Sequence, residues 1–339
     1  MRVPFAPTVF LSGEKSYLFY ELYLTNFSAT PINLVRIEVV DADARKTPPV
    51  ATLEAEQLGT MLQPIGRTVS DPVKTLTLAG GESSILFVVV TTNRHISFPN
   101  RIAHRAVTGN SALEGATVST HNINLHLLAS PLRGGIWRAA DAPSNGEDNH
   151  HRRGTIVLNG SAVDSRRFAI DWKKVDGEVS FLGDRRNVHS YFSYGQPVFA
   201  VADGQVLNAT DGLPDNVPGH GDEFHPAVPI NFDTIAGNTI TLELGDGQFA
   251  YYMHLQPGSV RVKAGDHVQK GQLLANIGAS GDAREPHLHF EVTTSPHLLL
   301  GEGVPYLLEH YRSNSGHDGA FEMHDKELPL NNSLVDFGN

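Results

Sequence analysis

The sequence predicts an all-β protein of two domains. Three observations carry this reading: a length of 339 residues, 32 glycines and 20 prolines spread along the chain, and short runs of Val, Ile, Thr, Tyr and Phe between them. At roughly 100 to 200 residues per domain, the length suits two cores. Apolar or alternating runs bounded by Gly, Pro, Asn and Asp read as strands, and sustained 3.6-residue periodicity is scarce.

In the first part, strands are expected at 16–25, 33–40, 73–78, 83–91 and 122–128. The run Ile85-Leu86-Phe87-Val88-Val89-Val90 is apolar on both faces, as a buried strand requires. The turn 78–83, carrying Gly80-Gly81, is expected to close a hairpin leading into it. Short strands at such spacing predict an antiparallel, immunoglobulin-like sandwich over 1–128. His95, His104 and His121 are scattered through it and read as surface or hydrogen-bonded histidines.

Composition then shifts to Pro, Gly, Asn, Asp, Arg and His over 129–154, which reads as a linker containing Asn149-His150-His151-Arg152-Arg153. A second β domain is expected over 155–310, with strands at 155–158, 167–172, 196–202, 204–209, 239–244, 249–253, 267–268, 272–277 and 287–292. One helix is expected at 305–312, and 311–339 reads as a polar C-terminal tail.

Composition excludes several functions. The chain carries 26 Lys and Arg against 37 Asp and Glu, a formal charge of −11, with no basic run to follow a phosphate backbone, so nucleic acid is not an expected partner. There is no cysteine, so any metal must be held by His, Asp or Glu. Apolar stretches are strand-sized, far below the ~20 residues of a spanning helix, and no transmembrane segment is expected. Met1-Arg2-Val3-Pro4-Phe5 opens no apolar leader, so the chain either stays inside the cell or is an already trimmed form.

The sharpest chemical signal is Glu285-Pro286-His287-Leu288-His289-Phe290-Glu291-Val292. Alternation on a strand puts His287 and His289 on one face, about 7 Å apart, where two imidazoles can converge. Upstream lie Tyr251-Tyr252-Met253-His254-Leu255 and a series of turns at Gly258, Gly265, Gly271, Gly278 and Gly281. Together with Gly195-Gln196-Pro197-Val198 and the run 200–206, this pattern resembles the catalytic core of the lysostaphin-like (LytM-type) zinc metallopeptidases, over about 168–294. The resemblance implies a small antiparallel two-sheet core with a groove over one sheet, and cleavage of peptides in bacterial cell walls.

In that family zinc is held by the His and Asp of a His-x-x-x-Asp motif and by the second His of His-x-His. Carried across, the resemblance makes Asp171 and His289 metal ligands and makes His287 and His254 the histidines that assist the attacking water. Zinc lowers the pKa of water it holds toward ~7, and neighbouring imidazoles can accept the proton and stabilise the oxyanion. One position departs from the pattern: four residues before Asp171 stands Arg167, which has no lone pair to give. Two ligands fall short of the three that catalytic zinc takes.

Three arrangements are open. His151, His150 or His189 supplies the third ligand; or the site is metal-free, with Arg167 paired to Asp171 or binding a substrate carboxylate; or metal binds weakly and the substrate completes it. Against ligation, His150 and His151 read as solvated linker residues, and His189 can pack on Tyr191, Phe192 and Tyr194. His220 and His225 lie in a loop able to rim the groove, though a plain surface loop accounts for them. Trp172 reads as core, and Asp164, Asp203 and Glu291 as turn or sheet-face carboxylates.

The expected function is a zinc-dependent endopeptidase acting on peptidoglycan peptides. The alternative is a catalytically inactive member that binds peptide or regulates a partner cell-wall hydrolase. Periplasmic or secreted location follows from the resemblance alone.

Overall fold

The computed structural model describes residues 1–44, 47–65, 76–109, 111–158, 161–314 and 319–338. They form two compact units, Met1–Asn124 with Asn145–Asp148, and Leu125–Ser144 with Asn149–Asn339. Among the described residues the regular structure is nearly all strand, as expected.

The first unit is a sandwich of two antiparallel sheets. One runs in the order Phe10–Ser12, Lys15–Thr25, Ser83–Asn93, Leu62–Pro64; the other in the order Ala51–Glu54, Ile32–Asp41, Arg101–Thr108, Ser111–Ser119, with Thr77–Leu78 also beside Ile32–Asp41. Leu18, Tyr20, Leu22 and Leu24, two apart on one strand, meet Ile37, Val39 and Ile102 of the other sheet in one core. The expected hairpin at 78–83 does not form. Thr77–Leu78 pairs with Ile32–Asn33, so this turn crosses between the sheets. Residues 73–75 of the expected strand lie outside the described residues.

Arg101–Thr108 and Ser111–Ser119 are strands that charge masks in the sequence. Arg105 bridges Glu38 at 2.8 Å and Glu114 at 3.1 Å, while the buried His104 ring contacts the Tyr20 hydroxyl and the Ala116 carbonyl at 2.8 and 3.0 Å. The short helix Ala55–Met61 was also not expected; it carries a capping box between Glu54 and Gln57 and buries Leu58.

The second unit is built on an eleven-stranded sheet. Its order is Leu127–Leu128, Leu307–Ser313, Leu334–Asp336, Ile136–Ala140, Ile170–Val175, Leu288–Thr293, Gln248–Leu255, Asn238–Gly245, Gly204–Thr210, His267–Val268, with Glu322–Glu327 on Leu307–Ser313. The small pair Pro197–Phe199 with Leu273–Asn276 lies apart from it. Pairings in the large sheet are antiparallel except Leu127–Leu128 with Leu307–Ser313.

Three expectations fail here for one reason: long-range pairing overrides local composition. Residues 305–312 do not form a helix; Leu307–Ser313 is a strand held by neighbours on both sides. The segment 311–339 is not a tail, since Leu334–Asp336 pairs with Ile136–Ala140. Nor is 129–154 a linker: Ile136–Ala140 is an inner strand, and Asn149, His151 and Arg152 are buried. The strand expected at 122–128 shrinks to Leu127–Leu128 and belongs to the second unit.

Candidate active site

Three adjacent strands bring the site together. Asp171 sits opposite His289, and His289 sits opposite Met253. Directly paired residues project to the same face, so these three side chains share one side of the sheet. Trp172, Leu288, Phe290 and Tyr252 point to the other side and are fully buried.

Strict alternation would turn His254 away from Met253. His254 instead has φ of 63°, in the left-handed region that few non-glycine residues enter and histidine enters more readily than most, and its N–H bonds to the Ala236 carbonyl at 2.9 Å. The break in alternation lets Met253 and His254 both line the same cavity. Local strain of this kind is held by its surroundings and clusters at functional sites.

Four imidazoles surround Asp171, and three are oriented alike. His151 Nδ1 donates to the Asp141 carbonyl at 2.9 Å, His254 Nδ1 to the Ser280 carbonyl at 2.9 Å, and His287 Nδ1 to the Glu285 carbonyl at 2.7 Å. A carbonyl only accepts, so each Nδ1 carries a proton, and a ring that is neutral keeps its lone pair on Nε2. His151 Nε2 and His287 Nε2 each lie 3.4 Å from Asp171 Oδ1. His289 differs, with Nδ1 at 2.9 Å from Asp171 Oδ1 and Nε2 at 3.2 Å from Glu291 Oε2. Its ring stands edge-on to His151, centroids 4.8 Å apart, and His254 and His287 lie 4.8 Å apart on the other side.

Electrostatics follow from burial. Asp171 is buried, which opposes its charge, yet the imidazoles around it hold its carboxyl well below the usual range. Burial drives His151 and His254 well below the ordinary histidine value, so both are neutral at pH 7. Burial also opposes charge on His289, but its hydrogen bonds to Asp171 and Glu291 prevail and raise it to about 9.

His151 Nε2, Asp171 Oδ1 and His289 Nδ1 are donor atoms of the kind that zinc takes. Two atoms held tetrahedrally at about 2.1 Å from the ion lie about 3.4 Å apart, and the donors of His151, Asp171 and His289 are spaced 3.4 and 2.9 Å about Asp171 Oδ1. His150, His151 and Asp171 also present ligand atoms within 4.8 Å of one another. His150, however, is half-exposed and turns Nδ1 to Asp141 Oδ1 at 3.3 Å, whereas His151 and His289 are buried. His189 is not brought to the site. It sits exposed on the short 3-10 turn Val188–Ser190 with its ring against Tyr194.

Arg167 is turned away from the site as well. Its guanidinium is buried, 2.7 Å from Glu302 Oε2 and 2.9 Å from the Gly303 carbonyl, so it neither pairs with Asp171 nor reaches the cavity as a substrate group. The cavity encloses about 300 Å³. Its wall includes groups whose roles the sequence did not disclose: Asp141, the ion pair Lys173–Glu285 at 2.7 Å, and Arg166. His220 lines it too. Glu291 was read as a sheet-face carboxylate; its place two residues after His289, on the same face, was the signal that it backs that ring.

Residues 187–299 match the model of peptidase family M23. The chain contains a lysostaphin-like peptidase core. That matched stretch holds His254, His287 and His289; Asp171 and His151 precede it. Glycyl-glycine endopeptidase ALE-1 of Staphylococcus capitis is 31% identical over 114 residues, which is 33% of this chain and 25% of that protein. Peptidoglycan DD-endopeptidase ShyB of Vibrio cholerae is 33% identical over 98 residues, 29% of this chain and 18% of that protein. The chain thus spans a quarter or less of these relatives. A solved structure of the catalytic domain of lysostaphin from Staphylococcus simulans aligns over 44% of this chain and 80% of that one, with 24% identity and a TM-score of 0.25.

Proposed function

We propose that this protein is a zinc-dependent endopeptidase that cleaves peptides of bacterial cell-wall peptidoglycan, working in the periplasm or outside the cell. The observation that carries the reading is the convergence of His151 Nε2, Asp171 Oδ1 and His289 Nδ1, which makes up the three-ligand set that Arg167 leaves short. Zinc held by these residues would supply a Lewis acid for a carbonyl and would lower the pKa of water toward neutrality.

The chain's own residues do the rest. His254 and His287 stand side by side on the cavity wall with Nδ1 of each tied to a carbonyl, which leaves Nε2 placed to accept the proton of the attacking water and to return it to the leaving amine. Once protonated, either ring can donate to the developing oxyanion. Glu291 holds His289 through the nitrogen that does not face Asp171, and the Asp141 carbonyl does the same for His151. A second hollow, lined by Leu207, Phe232, Thr239 and Tyr251, shares Ala236 and Leu298 with the first and extends it as a groove for a peptide would.

The non-catalytic reading rested on the missing ligand at position 167, and the buried His151 supplies a donor in its stead. Metal content by mass spectrometry, together with release of peptides from purified peptidoglycan, tests the proposal. The expected result is about one zinc per chain in the wild type, lost in His151→Ala and His289→Ala, with cleavage lost in both and in His287→Ala. A wild type that takes up no zinc from excess would refute it.

A further inference from the structure

The cavity wall contains three strong cations, and two of them are neutralised. Lys173 lies 2.7 Å from Glu285, and Arg284 lies 3.0 Å from Asp282 while its guanidinium stacks on Phe224 at 4.0 Å. Arg166 has no such partner: among the described residues no carboxylate comes within 4 Å of its guanidinium. Its Nε is buried and makes no hydrogen bond. A guanidinium with an unsatisfied buried donor is a costly arrangement for a wall that has only to be a wall.

Arg166 packs against a turn of the chain that has no room for a side chain, since a Cβ at Gly154 would fall 2.9 Å from the His150 carbonyl. Its guanidinium lies against Gly154, where a Cβ would fall 2.5 Å from Nη2 and 2.9 Å from Nε. Gly154 ends the turn that carries His150 and His151, its N–H bonding to the His151 carbonyl at 3.1 Å. The missing side chain at 154 therefore lets the cation settle beside the turn that holds the proposed ligand His151.

We propose that Arg166 is a recognition subsite for a carboxylate of the substrate peptide, so that the enzyme selects peptides bearing a free acid next to the scissile bond over their amidated forms. The planar fork of a guanidinium matches a carboxylate in two parallel hydrogen bonds and offers an amide much less. The inference rests on the peptidase reading of this site and names what that site selects.

Calorimetric binding tests it on the metal-stripped full chain, where no turnover occurs. The probes are peptides solubilised from purified peptidoglycan, with carboxylates free or converted to amides. The wild type is expected to bind the free acids about 10- to 100-fold more tightly than the amides, the range of one charge-assisted contact. Arg166→Gln should bind both forms alike, Arg166→Lys should keep part of the preference, and both variants should retain wild-type zinc content. In the zinc-loaded enzyme the free-acid KM should rise in Arg166→Gln with kcat little changed. Equal binding of both forms by the wild type overturns the subsite alone. Binding of neither form overturns the peptidase reading and the subsite with it. Loss of zinc from Arg166→Gln overturns the subsite in favour of a role in holding the His150–His151 turn.

Discussion

Replacing Arg167 with Met separates an arginine that holds the fold from one that serves the site. The substitution keeps most of the apolar stem and deletes the guanidinium. That group is 2% exposed, 2.7 Å from Glu302 Oε2, and donates to the Gly303 carbonyl at 2.9 Å. The Glu302 side chain is only 14% exposed, so the variant leaves a largely desolvated carboxylate without its cation. Breaking such a pair costs about 3–5 kcal/mol, and the solvent access Glu302 retains places the loss near the lower end. In a unit of about 200 residues each kcal/mol moves Tm by about 2–4 °C, so the transition of the second unit should fall by roughly 6–12 °C. Scanning calorimetry of the full chain, with zinc per chain measured in parallel, is the assay. Zinc content should stay at the wild-type level, and adding Glu302→Gln should restore at least half of the lost Tm by removing the orphaned charge. An Arg167→Met protein that keeps its Tm and loses its zinc would refute the reasoning, because it would return Arg167 to the metal centre.

Two further outcomes follow from buried groups. Glu291→Gln keeps the shape of the side chain but removes the charge that backs His289, and should weaken zinc affinity about 10- to 100-fold in a chelator competition; an unchanged affinity would leave Glu291 a packing residue. In the first unit, burial lowers His104 to about 4. The folded state therefore favours the neutral ring, and the stability this contributes is complete above the unfolded value of about 6.5 and is lost as pH falls from there toward 4. Between pH 7.5 and 4.5 the wild type should lose about 2–3 kcal/mol more than His104→Gln does, read from denaturant unfolding of the first unit, and parallel losses in the two proteins would count against it.

Much of the site was legible because its chemistry is local. His287 and His289 are two residues apart, and a strand must put them near one another. His254, Asp171 and the turn glycines carried enough pattern to place a lysostaphin-like core. The histidine that joins Asp171 from outside this pattern was legible only as a choice among His150, His151 and His189. The misread segments share one property: short, polar or charged stretches such as 129–154 and 311–339 become strands through partners more than a hundred residues away, as Ile136–Ala140 does with Leu334–Asp336.

By itself the sequence determined the β class, the cysteine-free choice of metal donors, and three of the four side chains that meet at Asp171 Oδ1, namely Asp171 itself, His287 and His289. Tertiary structure alone decided that His151 and not His189 reaches Asp171, that Arg167 is turned to Glu302, and that Arg166 meets no carboxylate among the described residues of the cavity wall. The physical reason is that alternation and turn chemistry are fixed over two to five residues. Which distant side chains come within 3–4 Å is fixed by strand register, and register is settled only when the whole sheet buries its faces.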